Sequence, residues 1–215
     1  MPAEEFRDGR LLLIKLGPLG QFANNAYIVA DPRTNDAVVV DAPEESEQVV
    51  AAARGLNVRR IIVTHRHRDH WAGIDALLAG IDAPVFCHEA DREPWAAYVK
   101  GTLAHDDQVE VGSVRLRVIH TPGHTPGSIS LQLGEHLLSG DTLFPGGPGR
   151  TQRSEDLRQE IESIVSRLHV LPDATRVHPG HGAGTTIGAS KQEYAVFAAK
   201  QHDPALCGDV LWLTS

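Results

Sequence analysis

Between residues 64 and 70 the chain reads Thr64-His65-Arg66-His67-Arg68-Asp69-His70, which packs three imidazoles and a carboxylate into the six positions from His65 to His70. His65 and His67 are two apart, so on an extended segment their side chains leave the same face. Asp69 and His70 follow, where a turn delivers them to a second point nearby. This is the spacing for two adjacent metal ions rather than one closed tetrahedral cage. A closed structural zinc site normally draws on cysteine thiolates, and neither Cys87 nor Cys207 belongs to the string. Nitrogen and oxygen donors of this kind suit hydrolytic metals. A solvated histidine-rich loop is the bland alternative, and it accounts poorly for such density. Arg66 and Arg68 read as solvent-facing or paired with acids.

Three further clusters carry the same residue types. His120-Thr121-Pro122-Gly123-His124-Thr125-Pro126-Gly127-Ser128 is a loop whose prolines and glycines hold His124 at its tip. His120 reads either as a strand-end histidine or as a residue behind a ligand. In Ser139-Gly140-Asp141-Thr142, Gly140 allows close backbone approach and Asp141 is a turn aspartate or a carboxylate between two cations. In His178-Pro179-Gly180-His181-Gly182 the better ligand candidate is His181, while His178 stays ambiguous. His88, His105, His136, His169 and His202 have no partner spacing and read as surface or partly buried side chains.

Every cluster follows a segment patterned as a strand. Residues 11–16 and 26–30 are apolar runs, 38–40 is a β-branched run suited to a buried strand, and 60–63 is another. Between the last two, residues 44–55 have helix character, starting after Pro43 with acids and stopping at Gly55. A strand–helix–strand unit of that length implies a parallel crossover. The grammar then repeats. Strands are expected over 114–119, 129–133, 136–138 and 176–177, and helices over 155–169 and 189–201, the first with Leu157, Ile161, Ile164, Val165 and Leu168 on one side. The clusters at 64–70, 120–127, 141 and 178–182 therefore sit at carboxyl ends of strands, where α/β sheets place ligand sites.

The chain has 215 residues, 41% of them hydrophobic, enough to bury one core with no linker between the halves, so residues 1–215 read as one domain. Its formal net charge of −8 disfavours nucleic acid and anionic membrane as partners. The start Met1-Pro2-Ala3-Glu4-Glu5 carries no apolar signal core. No apolar run approaches the ~20 residues of a membrane span. The expectation is a cytoplasmic protein with free thiols, no nucleic-acid or membrane partner, and a small-molecule substrate.

The strings Thr64 to His70, His120 to Thr125, Gly140-Asp141-Thr142-Leu143-Phe144 and Pro179-Gly180-His181-Gly182 together resemble metallo-β-lactamase-fold hydrolases, in particular the short glyoxalase II (hydroxyacylglutathione hydrolase)-like proteins. The resemblance covers about residues 10–185. It implies an α/β fold, an αββα sandwich of two pseudo-symmetric halves with metals at one edge. It places His65, His67 and His124 on a first ion, Asp69, His70 and His181 on a second, and Asp141 between them. The ions implied are two divalent cations, zinc foremost, with iron and manganese also suited to these donors. Asp41 matches a buried aspartate that braces the ligand loop. Arg150 matches the position of a lysine that contacts the glutathione moiety, and reads either as an anchor for a substrate carboxylate or as a solvated loop residue. Two departures matter: the aromatic residue after that position is replaced by Thr151-Gln152, and the tail Asp203 to Ser215 has no basic residue where glyoxalase II carries a basic helical extension.

The activity implied is hydrolysis of an acyl thioester. The two cations would share a water, bring its pKa towards ~7 and present hydroxide to the acyl carbon. Asp69 would orient that nucleophile and Asp141 would bridge, so these two are the candidate catalytic residues. Alternatives on the same site are a persulfide dioxygenase-like single-iron enzyme using His65, His124 and Asp141, a lactonase or β-lactamase, and a non-catalytic metal-binding module. Trp71, Trp95 and Trp212 are open to pocket, core or interface roles.

Overall fold

The computed structural model describes residues 3–93 and 95–215; Met1 and Pro2, part of the acidic start noted above, and Pro94 lie outside the described residues. The chain begins with an antiparallel run: β1 (Glu4–Asp8), β2 (Leu11–Leu19), β3 (Asn24–Ala30) and β4 (Asp36–Val40). Helix α1 (Glu47–Ala52) then carries the chain to β5 (Asn57–Ile62), which lies parallel to β4. Helix α2 (Ile74–Gly80) leads to the short parallel strands β6 (Val85–Cys87) and β7 (Val99–Thr102), completing a seven-stranded sheet in sequential order.

The second sheet repeats the plan. Antiparallel β8 (Gln108–Val111), β9 (Val114–His120), β10 (Ile129–Leu133) and β11 (His136–Gly140) are followed by a two-stranded ribbon, β12 (Leu143–Phe144) and β13 (Gly147–Pro148). Helix α3 (Ser154–Ser163), extended by a π turn over Ile164–Leu168, crosses to β14 (Arg176–Pro179), parallel to β11. Strand β15 (Thr185–Thr186) closes this edge and helix α4 (Ile187–Ala198) covers it. Each half is thus an antiparallel run followed by a helical crossover into a parallel strand, the pseudo-symmetry expected from element order.

Side-chain alternation builds the four layers. Leu13, Tyr27, Val29, Val38, Val40 and Ile62 of the first sheet face Val109, Leu116, Val118, Ile129 and Leu131 of the second across the central core. The opposite faces carry the helices. Leu12, Ile14, Ile28, Val39 and Ile61 pack with Val49 of α1 and Leu77 of α2, while Ile119, Leu137 and Val177 pack with Leu157, Ile164 and Leu168 along α3 and its π turn. This is the αββα sandwich. Asp31 ties the sheets beyond their cores, its Oδ2 accepting from Ser113 N at 2.8 Å and Ser113 Oγ at 2.6 Å in the β8–β9 turn.

Boundaries differ from the sequence reading where local conformation intervenes. The helix expected over 44–55 is regular only over Glu47–Ala52, because Glu45 takes a left-handed φ of 64° and residues 44–46 form a turn. The helix expected at 189–201 starts earlier, at Ile187, where Thr186 Oγ1 caps it by accepting from Ala189 N at 3.1 Å. The tryptophans divide: Trp95 and Trp212 are core residues, and Trp71 stacks on Trp95 at 5.7 Å from a partly buried position. Among the described residues no helix is long and apolar enough to cross a membrane.

One buried basic pair sits apart from the site. His178 is 5% exposed, with its Nε2 2.9 Å from His136 Nδ1 and the Phe6 ring against it at 4.8 Å. Burial first, then the neighbouring His136, pushes the His178 pKa down to about 3. An unfolded imidazole titrates near 6.5. The unfolded chain therefore takes up a proton that the folded chain refuses, so this contribution is complete above about pH 6.5 and is lost as pH falls towards about 3. A His178→Gln variant is expected to show a shallower fall of urea-unfolding free energy between about pH 6.5 and about pH 4 than the parent. Equal slopes would remove His178 from the acid sensitivity.

Candidate metal centre

The clusters arrive at one edge of the sandwich because each follows a strand pointing that way. Asp41 follows β4, the 64–70 segment follows β5, His124 lies on the β9–β10 loop, Asp141 follows β11 and His181 follows β14. The 64–70 segment does what its spacing requires. His65 and His67 leave an extended stretch, then a single 3-10 turn over Arg68–His70 redirects Asp69 and His70. Gly180 is demanded by proximity, since a Cβ there would overlap Asp141 Oδ1 and the His70 ring. Gly140, with φ +50°, adopts the left-handed conformation that turns the chain out of β11.

Seven side chains named from sequence converge. His65, His67 and His124 form one group, Asp69, His70 and His181 another, and His65, His70 and Asp141 a third between them, with the donor atoms of each group within 4.8 Å of one another. Asp141 reaches both sides: its Oδ2 lies 3.7 Å from His124 Nε2 and 3.3 Å from His181 Nε2. His181 Nε2 is also 3.3 Å from Asp69 Oδ2.

Hydrogen bonds on the far nitrogens decide which lone pairs face inward. His124 Nδ1 donates to the Arg150 carbonyl at 2.9 Å and His181 Nδ1 to the Phe22 carbonyl at 2.9 Å. His70 Nδ1 donates to Asp41 Oδ2 at 2.8 Å. Thr64 Oγ1 donates to Asp41 Oδ2 at 3.0 Å and so accepts from His65 Nδ1 at 3.1 Å. In all four rings Nε2 is therefore the nitrogen that faces the centre, and it can offer a lone pair there once it is deprotonated. His65 Nε2 and Asp141 Oδ1 are buried there without a hydrogen-bond partner among the described residues. His67 Nδ1 and His124 Nε2 stand 2.8 Å apart, and His70 and His181 Nε2 atoms 3.3 Å apart. Two nitrogens on one tetrahedral cation at ~2.1 Å are roughly 3.4 Å apart, close to the His70–His181 separation, whereas the His67–His124 pair is closer than that. The orphaned His65 Nε2 and Asp141 Oδ1 beside them are donors that suit divalent cations.

The electrostatics divide the two groups. Burial lowers His65 and takes His124 down to about 4, so both stay neutral at pH 7. For His181, hydrogen bonds to Asp141 and Asp69 outweigh burial and lift its pKa to about 10. At His70 the charges of Asp141 and Asp41 likewise overcome burial and raise it. Asp69 is held well below the usual carboxylate range, burial being outweighed by the His181 hydrogen bond and the neighbouring His70.

Three supporting residues escaped the sequence reading. Asn24, at the start of β3, donates from Nδ2 to Asp69 Oδ2 at 2.8 Å, and Asn25 beside it donates to the carbonyls of Pro179 and Gly182 at 2.9 and 3.0 Å. Asp91 is fully buried. Its Oδ2 accepts from Arg66 N at 3.0 Å and from Thr125 Oγ1, and its Oδ1 from Gly127 N at 2.9 Å, which locks the His65–His67 segment to the His124 loop. The adjacent Asn24-Asn25 pair was the one available signal; Asp91 had none.

Asp41 takes the bracing position expected of it: 1% exposed, it accepts from Thr64 N at 2.8 Å as well as from Thr64 Oγ1 and His70. Arg150 contributes its carbonyl to His124, while its side chain is mostly exposed, 3.8 Å from Asp209. His120 proves to be a strand-end residue stacked on His88 at 3.9 Å with its Nε2 on the Pro126 carbonyl, and His178 belongs to the buried pair with His136.

A family model described as the metallo-beta-lactamase superfamily matches residues 19–197. An uncharacterized protein of Aquifex aeolicus is 33% identical over 199 residues, which cover 84% of this chain and 94% of that protein. A hydroxyacylglutathione hydrolase of Nitrosococcus oceani is 33% identical over 177 residues; these are 80% of this chain and span only 66% of that enzyme. The crystal structure of ETHE1 from Myxococcus xanthus superposes with a TM-score of 0.73 at 28% identity, covering 94% of this chain and 86% of that one. Sandwich, donor order and relatives agree, and the chain belongs to the metallo-beta-lactamase superfamily.

Proposed function

We propose that this chain is a dinuclear-metal hydrolase that cleaves acyl thioesters. The observation that carries the reading is the set of ring nitrogens of His65, His67, His70, His124 and His181 gathered around Asp69 and Asp141, the far nitrogen of four of these rings being tied off elsewhere. His65, His67 and His124 would hold one cation, Asp69, His70 and His181 the other, with Asp141 shared; zinc is the first candidate, and iron or manganese suits the same donors. Bound there, the cations would acidify water and polarise the acyl carbonyl.

The chain's own residues supply the rest. Asp69, kept deprotonated and fixed by Asn24, aims a carboxylate oxygen at the attacking water and accepts its hydrogen bond. Water adds to the acyl carbon, the C–S bond breaks, and a carboxylate and a thiol leave. Among the described residues no serine or cysteine nucleophile paired with a histidine base lies at the cluster. Burial pushes the Cys87 thiol up to about 12. The one Ser–His hydrogen bond among the described residues, Ser190 Oγ with His169 Nε2 at 2.9 Å, lies beside Tyr194 and Trp212, away from the cluster. The hydroxyacylglutathione hydrolase relatives support the thioester as substrate. Arg150, exposed at the mouth, is the candidate anchor for a substrate carboxylate.

Metal content measured together with hydrolysis of S-lactoylglutathione and short acyl thioesters tests the proposal. About two cations per chain with metal-dependent turnover is expected. Two cations without thioester turnover would remove the thioesterase assignment, and a single iron with oxygen uptake on a persulfide would replace it. Asp69→Ala and Asp141→Ala, refolded and metal-loaded, should each lose about 100-fold or more in kcat. Near-parental turnover in either would sink the mechanism.

Cation binding should also depend on pH differently at the two groups. At neutral pH a cation on Asp69, His70 and His181 must displace protons, because His181 stays protonated up to about 10, whereas His65 and His124 are already neutral. Zinc titrations of chelator-treated protein are therefore expected to show one affinity nearly constant between about pH 8 and about pH 6 and a second that weakens with acid and releases protons. Identical pH dependence at both would contradict this division.

A further inference from the structure

Two clefts meet at the cluster, and their chemistry is opposite. One, of about 310 Å³, has Asp141 and His181 in its lining together with Phe144, Pro145, Val210 and Leu211. The other, of about 290 Å³, is lined by Arg66, Arg150 and Arg153 with Asp156 as its one carboxylate. His124 and Arg150 line both, so the clefts adjoin at the proposed reaction centre.

One wall of the apolar cleft comes from the C-terminal tail, which in the sequence stood out for its lack of basic residues and for Trp212. Thr151 and Gly208 exchange backbone hydrogen bonds at 3.2 and 2.9 Å, and Trp212 N donates to the Gly146 carbonyl at 2.9 Å. Val210 and Trp212 are sunk in the core beneath α3 and α4, which leaves Leu211, 52% exposed, standing over the β12–β13 ribbon beside Phe144 and Pro145. On the basic side, Arg153 is spent on Asp156 at 2.7 Å. Arg66 is freer. Its guanidinium comes no closer than 3.9 Å to Asp91, whose oxygens are already taken by Arg66 N, Gly127 N and Thr125 Oγ1. A net positive cleft on a chain of formal charge −8 is a local exception, and it selects an anion.

Resting on the thioesterase reading, we infer that the substrate is a two-armed thioester, with an apolar arm on the Phe144–Leu211 ledge and an anionic arm at Arg66, the scissile bond lying between them by His124. Leu211 and Arg66 are then specificity-determining residues that leave hydrolysis to the cluster. The apolar wall would tolerate alkyl or aromatic groups, because it offers area rather than directed hydrogen bonds.

Non-hydrolysable thioethers test this independently of turnover. Calorimetry would compare a probe carrying hexyl on one side of sulfur and a carboxypropyl group on the other with two probes that each keep one arm and replace the other by methyl. The two-armed probe is expected to bind at least about tenfold more tightly than either. Leu211→Asp should cost about tenfold for probes with hexyl and nothing for the carboxypropyl-only probe, and Arg66→Gln the reverse pattern. Val170→Asp, at a site 69% exposed and outside both clefts, should change nothing. Equal binding of all three probes, or no arm-specific loss in the two variants, overturns the inference. The matching thioesters, assayed in both arm orientations with metal-loaded protein, separate the two proposals. The binding pattern without hydrolysis keeps the subsites and removes the thioesterase; hydrolysis without the pattern keeps the thioesterase and removes the subsites.

Discussion

The site depends on how Asp41 is held. A carboxylate sealed from water must be met by donors or it is driven to its neutral form. Here Thr64 supplies a backbone and a hydroxyl hydrogen, and His70 supplies Nδ1–H. Those bonds orient His70 directly and His65 through Thr64 Oγ1, so one buried carboxylate sets two imidazoles that belong to different donor groups. Asp41 occupies a left-handed φ of 63° at the end of β4, which turns its carboxylate towards the loop following the parallel neighbour β5. Strand pairing thereby becomes ring orientation.

Around that point the molecule resolves a charge problem. Ionised Asp69 and Asp141 crowd one edge beside buried Asp41, and burial alone would raise the pKa of Asp69 and Asp141. The imidazoles answer unevenly. His70 and His181, beside Asp69, take up charge, while His65 and His124 on the other side of Asp141 stay neutral. Asp91 and Asn24 add geometry, tying separate loops so that no donor relies on its own short segment for position.

Much of this was legible in the residues because short-range rules govern it. The alternation at His65 and His67, the glycine at 180 and the helical period of Leu157, Ile164 and Leu168 act within a few positions of themselves. What escaped is decided by distant partners. Asp91 lies in Glu89-Ala90-Asp91-Arg92-Glu93, a run patterned like a solvated face, and only the packing of the 64–70 and 124–127 loops buries it. Strands β6 and β7 are three and four residues long and borrow their order from β5. The stretch that forms α2 holds only seven helical residues, too few for a persuasive period. Trp212 could not be placed because its burial depends on α3 and α4 meeting over it.

Along the tail, inward and outward positions alternate: Val210 and Trp212 lie inside, while Leu211 and Leu213 lie outside. Anchoring and display are thus assigned to different residues of one short segment that ends in a turn. If Leu211 forms a wall of the substrate cleft, its side chain could be exchanged without disturbing the inward pair that keeps the segment docked. Substrate preference and fold stability would then rest on neighbouring residues of the same short stretch, one free to change its surface chemistry and the other bound to the core.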